Sequence, residues 1–133
     1  MRKLLLDTFA YASFLSGDKD VLEALSASDA IYVSIIVLGE LHAGFRGGRR
    51  RTENERTLSD FLRRPGVSTL PLTEETARIF GEVKESLRRA GTPIPINDVW
   101  IAAQALETGS GLASYDAHFQ RIPGLRLWRV TAD

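Results

Sequence analysis

Four acidic residues of this chain occupy positions where a fold alone would place an apolar or neutral side chain: Asp7, Glu40, Asp98 and Asp116. Asp7 ends a run of three leucines, and Glu40 is the only charged residue between positions 30 and 45. An ionised carboxylate beside packed hydrocarbon is costly unless it is paired or binds a metal ion. Four such carboxylates therefore indicate one cation site assembled from distant parts of the chain.

The rest of the composition limits which cation this site could bind. The sequence has no cysteine and only two histidines, His42 and His118, which excludes thiolate sites and leaves too few histidines for most zinc sites. We assign both histidines to packing or hydrogen bonding. Oxygen ligands remain, and these suit magnesium or manganese.

Length and composition predict one globular domain that spans residues 1–133. The chain is 44% hydrophobic, which is enough for a core without disulfides. The N-terminal apolar run is three leucines long, far below the roughly 20 residues of a membrane span. We expect a soluble cytoplasmic protein with no membrane segment.

The arginines are concentrated in one segment, although the formal net charge of the chain is zero. Positions 46–64 contain seven arginines against three acidic residues, and Arg46, Arg49, Arg50 and Arg51 stand at the start. One interpretation is contact with nucleic-acid phosphates or with a partner protein. The other is a solvated helix face with a basic loop. The segment alone does not distinguish the two.

Short apolar runs alternate with longer helical patterns, which is typical of a parallel sheet covered by helices on both faces. The pattern predicts five strands, at 3–6, 31–33, 67–70, 112–113 and 125–128. It predicts helices at 9–15, 19–26, 35–45, 52–63, 74–90 and 98–108, with a short helix after position 116. Ser34, Thr73 and Asn97 are the expected N-caps of three helices, and Gly91 and Gly109 the expected ends of two.

This arrangement predicts where the four acids lie. In open α/β sheets the functional crevice lies beyond the carboxyl ends of the strands, and Asp7 and Asp116 follow such ends. Glu40 lies mid-helix on a small, apolar face, and the face of Asp98 also turns toward the core. Asp98 could instead serve only the helix dipole, and Asp116 could be a plain N-cap. If they converge, the four carboxylates would hold metal ions for phosphoryl chemistry.

Four segments carry these acids in a recognisable order and spacing. They are LLLDT at 4–8, SIIVLGEL at 34–41, NDVWIAA at 97–103 and LASYDAHFQRIPGL at 112–125. The pattern covers essentially the whole chain and resembles the PIN-domain family. It is most similar to the VapC-type toxin branch of that family.

The resemblance implies a metal-dependent endoribonuclease, the toxin of a toxin–antitoxin pair, whose Mg²⁺ or Mn²⁺ is held at the positions of the four acids. It implies that the first and fourth strands are adjacent, and that Ser114 orients a ligand or a water. It also implies an RNA substrate cleaved to 5′-phosphate and 3′-hydroxyl ends. Phe9 stands where many relatives have a small polar residue, which concerns substrate contacts beside Asp7 and not the metal site.

Protein partners are expected as well. The resemblance implies a homodimer and a small antitoxin that lies across the helices of the first half. Those helices carry more apolar positions than one face of a small sheet needs, and exposed apolar patches mark interfaces. The positions are Phe9, Tyr11, Phe14, Leu15, Leu38, Leu41 and Phe45.

Other functions on a similar sheet remain open. A metal-dependent aspartyl-phosphate phosphatase would have a second aspartate two residues after Asp7, where this chain has Phe9. A phosphoacceptor receiver would have an aspartate after its third strand, where this chain has Thr69-Leu70-Pro71. A third alternative is a PIN-like RNA-binding or scaffold module that has lost catalysis; the four intact acids argue against it, and a metal-dependent cleavage assay distinguishes the two.

Overall fold

Four parallel strands form the sheet in this computed structural model, which describes residues 1–128. The strands are β1 (Lys3–Leu6), β2 (Ala30–Ser34), β3 (Val67–Leu70) and β4 (Gly111–Ala113). Their order is β3-β2-β1-β4. Leu6, the last residue of β1, is level with Val33 of β2 and Ala113 of β4. The adjacency of β1 and β4 is confirmed, so the residues that follow these two strands emerge side by side.

The central strand shows that helices cover both faces of the sheet. Leu4, Leu5 and Leu6 are all buried, although successive side chains of a strand point to opposite faces. A strand buried on both faces has a continuous run of apolar residues, and β1 has such a run in Leu4, Leu5 and Leu6. Among residues 1–128, no helix is long and apolar enough to cross a membrane.

Six α-helices connect and cover the strands within the described residues. They are α1 (Thr8–Leu15), α2 (Lys19–Ser26), α3 (Ile35–Arg46), α4 (Arg51–Leu62), α5 (Glu74–Ala90) and α6 (Ile96–Thr108). A short 3₁₀ helix, Ala117–Arg121, follows β4. All predicted helices are present, with ends displaced by at most two residues.

Local capping accounts for most of these ends. The Ser34 hydroxyl accepts from the Ile36 amide at the start of α3, and Thr73 forms a capping box at the start of α5. Gly91 ends α5 in the left-handed conformation, as predicted. The prediction for Asn97 is wrong. The helix α6 begins at Ile96, two residues earlier than predicted, with Pro95 at the cap position and no side-chain cap.

The predicted fifth strand at 125–128 is also wrong. Leu112 donates its amide to the Arg126 carbonyl and accepts from the Trp128 amide, both at 2.9 Å, so the two segments share one parallel bridge between Leu112 and Leu127. Within the described residues this pairing is limited to one bridge, and β4 itself has only three residues. Residues 129–133 lie outside the described part of the chain.

Candidate active site

Asp7 lies at the carboxyl end of β1, where it also starts α1. Its side chain is only 6% exposed, and its Oδ1 accepts a hydrogen bond from the Ala10 amide at 2.8 Å. Burial raises the pKa of Asp7; hydrogen bonds from Ser114 and Ala10 lower it, and the negative charges of Asp98 and Asp116 raise it further. Asp7 therefore caps α1 with one oxygen. Its ionised form is disfavoured by burial and by the charges of Asp98 and Asp116.

Glu40 lies in the middle of α3 and is held by two side chains from other helices. Thr8 Oγ1 donates to Glu40 Oε1, and Asn97 Nδ2 donates to Glu40 Oε2 at 3.2 Å. Each oxygen of this carboxylate thus has a fixed neighbour, which orients the group. Asn97 acts here as a donor to Glu40 and not as the cap that its sequence position predicts.

Asp98 lies in the first turn of α6 and is half-buried. Burial raises the pKa of Asp98, and the neighbouring His118 opposes this rise, while the charges of Asp116 and Glu40 add to it. Asp98 therefore lies close enough to Asp116 and Glu40 for their negative charges to repel its own. A role limited to the helix dipole does not account for this position.

Asp116 follows β4, and its side chain is the most exposed of the four acids. Its amide donates to Ser114 Oγ at 3.0 Å, and its side chain makes no capping hydrogen bond to the 3₁₀ helix that it precedes. The structure thus does not support Asp116 as a plain N-cap. The buried Ser114 hydroxyl contacts both the Asp7 carboxylate and the Asp116 amide, so Ser114 links the ends of β1 and β4.

All four acids line one cleft of about 430 Å³. The cleft is completed by Thr8, Phe9, Pro95, Ile96, Asn97 and His118. None of these described lining residues is a lysine or an arginine, so no fixed cation balances the carboxylates. Ligand atoms of Asp98, Asp116 and His118 lie within 4.8 Å of one another. This donor set of carboxylate oxygens with one imidazole fits a divalent metal ion.

Three side chains of the cleft were not singled out by the sequence as parts of the site. Thr8 and Asn97 orient Glu40, and His118 lies between Asp98 and Asp116. The expectation of packing or hydrogen bonding for His118 stays a prediction, to which the structure adds close contacts with two of the acids. The sequence signal that could have identified His118 is its position two residues after Asp116. A tight turn after β4 brings both side chains to the same edge of the sheet.

The arginine segment lies apart from this cleft. Arg46 ends α3, Arg49 and Arg50 lie between α3 and α4, and Arg51 begins α4; all four are exposed. Arg50 pairs with Glu53 and Arg51 with Glu55. Among residues 1–128, no carboxylate forms an ion pair with Arg46 or Arg49, so these two are unpaired at the start of the segment, as Arg56 and Arg64 are further along it.

Comparison with known sequences identifies related proteins. The PIN domain family model matches residues 4–125. Ribonuclease VapC2 of Rickettsia felis is 31% identical over 107 residues, which cover 80% of this chain and 78% of that protein. Ribonuclease VapC5 of Mycobacterium tuberculosis is 27% identical over 119 residues, which cover 90% of this chain and 87% of that protein.

Solved structures show the same fold. The VapBC2 complex of Rickettsia felis, bound to a DNA fragment from its promoter, contains a chain with a TM-score of 0.82 and 27% identity, covering 94% of this chain and 96% of that one. A chain of the DNA-bound VapBC complex of Salmonella typhimurium has a TM-score of 0.84 and 25% identity, covering 97% of this chain and all of that one. The chain therefore belongs to the PIN-domain family, and within that family to the VapC branch.

Proposed function

We propose that this protein is a metal-dependent endoribonuclease that acts as the toxin of a toxin–antitoxin pair. The observation that carries the proposal is the convergence of Asp7, Glu40, Asp98 and Asp116 on one cleft that no lysine or arginine among the described residues neutralises. The relatives named as ribonucleases support the same reaction.

Mg²⁺ or Mn²⁺ is the cofactor that we propose for this cleft, held by the four carboxylates. Bound there, such an ion lowers the pKa of an attacking water and offsets the charge that develops on the phosphate. The raised pKa values of Asp7 and Asp98 support this assignment, because both rise partly through repulsion between carboxylates. A divalent cation would remove that repulsion.

The neighbours of the acids have positioning roles in this proposal. Thr8 and Asn97 hold the Glu40 carboxylate in one orientation, and Ser114 holds Asp7 and Asp116 in register across β1 and β4. Phe9 and Ile96, which are 71% and 50% exposed, form an apolar rim on the same cleft. We assign this rim to contacts with unstacked bases of a single-stranded RNA segment, because exposed bases stack on apolar and aromatic side chains.

We further propose an antitoxin partner and a homodimer. The related chains of known structure come from VapBC complexes, which supports an antitoxin for this chain. Leu15 of α1 is half-exposed, which supports an interface on the first-half helices. Tyr11 and Leu41, in contrast, are buried in the core and cannot contribute to one.

The competing functions make different predictions for the same cleft. A phosphatase would hydrolyse small phosphate monoesters, whereas an RNA-binding scaffold would bind RNA without cutting it.

Asp98→Asn removes a charge at the centre of the acid cluster with little change in volume. Asp60→Asn is a matched control, since Asp60 is exposed on α4 and pairs only with Arg63 in the described structure.

The test is cleavage of an RNA pool by purified protein with Mg²⁺, with Mn²⁺ and with a chelator, followed by sequencing of the new ends. We expect metal-dependent cuts with 5′-phosphate ends from the wild type and Asp60→Asn, and at least a hundredfold slower cleavage by Asp98→Asn. Expression in cells should arrest growth with the first two proteins only. An Asp98→Asn protein that folds and cleaves like the wild type would refute the proposed site.

A further inference from the structure

The imidazole of His118 lies between two of the four acids. Its Nε2 is 2.8 Å from Asp98 Oδ2, and its Nδ1 is 3.2 Å from Asp116 Oδ1. The 3₁₀ helix that carries His118 is anchored by Phe119, which is buried and makes an edge contact with the imidazole. The ring therefore has a fixed position, and it is only 17% exposed.

The Nε2 atom of His118 is buried and has no hydrogen bond of acceptable geometry. The atom nevertheless lies close to Asp98, and this contact lowers the pKa of Asp98. A close approach of Nε2 to Asp98 Oδ2 is what two ligand atoms of one metal ion would show. With bonds of about 2.1 Å and an angle near 90°, neighbouring ligand atoms lie about 3 Å apart, which matches the separation of Nε2 from Oδ2.

The other ring nitrogen has the neighbour that a metal-bound imidazole usually has. A histidine that ligates through Nε2 commonly donates its Nδ1–H to a carboxylate, which fixes the tautomer and the ring orientation. Asp116 Oδ1 occupies that position in this structure. The second oxygen of Asp116 stays available to the cluster.

We propose that Nε2 of His118 is a direct ligand of the divalent ion, so that the site combines one imidazole nitrogen with carboxylate oxygens. This inference rests on the proposed function, because it assumes the metal site of the four acids. Imidazole is a ligand of transition-metal ions, a group to which Mn²⁺ belongs and Mg²⁺ does not, and Mg²⁺ favours oxygen ligands. His118 therefore gives this chain a preference for Mn²⁺ that carboxylates alone would not provide.

The test uses Mn²⁺ itself as the probe, bound to tag-free, full-length protein from which other metals have been removed. Pulsed electron paramagnetic resonance detects the hyperfine coupling between Mn²⁺ and a directly bound ¹⁴N nucleus. Affinities for Mn²⁺ and Mg²⁺ are measured by calorimetry on the same samples. These readouts do not depend on cleavage of RNA.

The chain offers a matched pair of variants, because it has only two histidines. His118→Gln keeps most of the side-chain volume and replaces the nitrogen ligand with an amide. His42→Gln is the control, since His42 is half-exposed on α3, contacts Phe45 and Glu55, and does not line the cleft. In His42→Gln any imidazole coupling comes from His118.

We expect a ¹⁴N coupling in the wild type and in His42→Gln, and none in His118→Gln. The affinity of His118→Gln for Mn²⁺ should fall about tenfold or more, while its affinity for Mg²⁺ should change less than about threefold. Wild-type protein labelled with ¹⁵N-histidine should show the coupling of ¹⁵N instead. The labelling experiment tests for a histidine ligand without any substitution. Its result is therefore valid even if His118→Gln does not fold.

Two results would overturn the inference and leave the proposed function intact. One is wild-type protein that binds Mn²⁺ without a nitrogen coupling. The other is His118→Gln that binds Mn²⁺ more tightly than the wild type, which would identify His118 as a positive charge that competes with the metal. Wild-type protein that binds neither ion would refute the metal site itself, and the inference with it.

Discussion

Thr8 Oγ1 donates a hydrogen bond to Glu40 Oε1 and so ties the first turn of α1 to the middle of α3. The residue before Thr8 is Asp7, the acid at the end of β1. One tight turn therefore positions two of the four acids, Asp7 through the backbone and Glu40 through a hydroxyl. The relative placement of α1 and α3 depends on this contact as well as on apolar packing.

Removal of the Thr8 hydroxyl should reduce activity without unfolding the protein. In Thr8→Val a second methyl group replaces the hydroxyl and Glu40 loses one donor, whereas Thr8→Ser keeps the donor. We expect RNA cleavage by Thr8→Val to be about tenfold slower, as is common when a partner that orients a metal ligand is lost. Thr8→Ser should stay within about threefold of the wild type in the same assay. Equal rates for both variants would refute a positioning role for Thr8.

In the metal-free protein, the contribution of Asp7 to stability should fall as the pH rises above 4. Because the pKa of Asp7 is raised in the folded state above its ordinary value of 3.8, this carboxyl binds more protons in the folded protein than in the unfolded chain between these two pKa values. Its contribution to stability is complete below the unfolded pKa and is lost as the pH rises through the folded pKa. Asp7→Asn has no such proton, and asparagine can still cap α1. Chemical unfolding of both proteins in chelator should show the wild type losing stability relative to Asp7→Asn as the pH rises from 4 to 7.

Addition of Mg²⁺ or Mn²⁺ at pH 7 should make the wild type more stable than Asp7→Asn, the reverse of the order expected without metal. A ligand at 100 times its Kd stabilises the folded state by about 2.7 kcal/mol, so the Tm of the wild type should rise by several degrees. Asp7→Asn should respond much less, because it has lost one metal-binding carboxylate. Equal Tm shifts in the two proteins would contradict the role of Asp7 in the site.

Reversal of the unpaired arginine charges should weaken RNA or antitoxin binding. Arg46 and Arg49 are the best positions, since Arg50 and Arg51 already pair with Glu53 and Glu55. Each lost phosphate contact lowers the salt dependence of RNA affinity by about one unit of slope. We therefore expect weaker binding and a shallower slope for the double variant Arg46→Glu and Arg49→Glu, with Mn²⁺ affinity unchanged.

The control for this experiment makes the same charge change on α5, with Lys84→Glu and Arg88→Glu, both at exposed positions. It should bind RNA and antitoxin like the wild type. If the variant of Arg46 and Arg49 also binds both partners normally at every salt concentration, the segment is a solvated surface only.

The exposed part of α1 should belong to an interface. Leu15 is half-exposed, and a charge there would oppose burial against another chain. Light scattering at micromolar concentration should show a dimer for the wild type, and Leu15→Glu should weaken the dimer or the antitoxin complex without loss of helical circular dichroism. A monomeric wild type, or a Leu15→Glu protein with both assemblies intact, would count against this interface.

Local patterns in the sequence determine the type and approximate ends of nearly every element. The leucine run of β1 and the Thr73 cap of α5 are examples, because strand burial and helix capping depend on residues close together in the chain. The four acids could also be singled out from sequence, since a carboxylate in an apolar segment is unfavourable without a cation. Residues 125–128 are an exception, because their pairing depends on another strand, β4, and within the described residues it is limited to one bridge.

Contacts between distant residues were decided by the tertiary structure alone. The parallel pairing of β1 with β4 brings the ends of these strands together. The family resemblance implied this adjacency, but periodicity does not determine strand order. Asn97 bonds Glu40 across 57 residues of sequence, although its local position indicates a helix cap. His118 reaches Asp98 only because the turn after β4 faces the start of α6. A sequence can therefore identify the acids of such a site, whereas the side chains that orient them depend on how separate helices pack against the sheet.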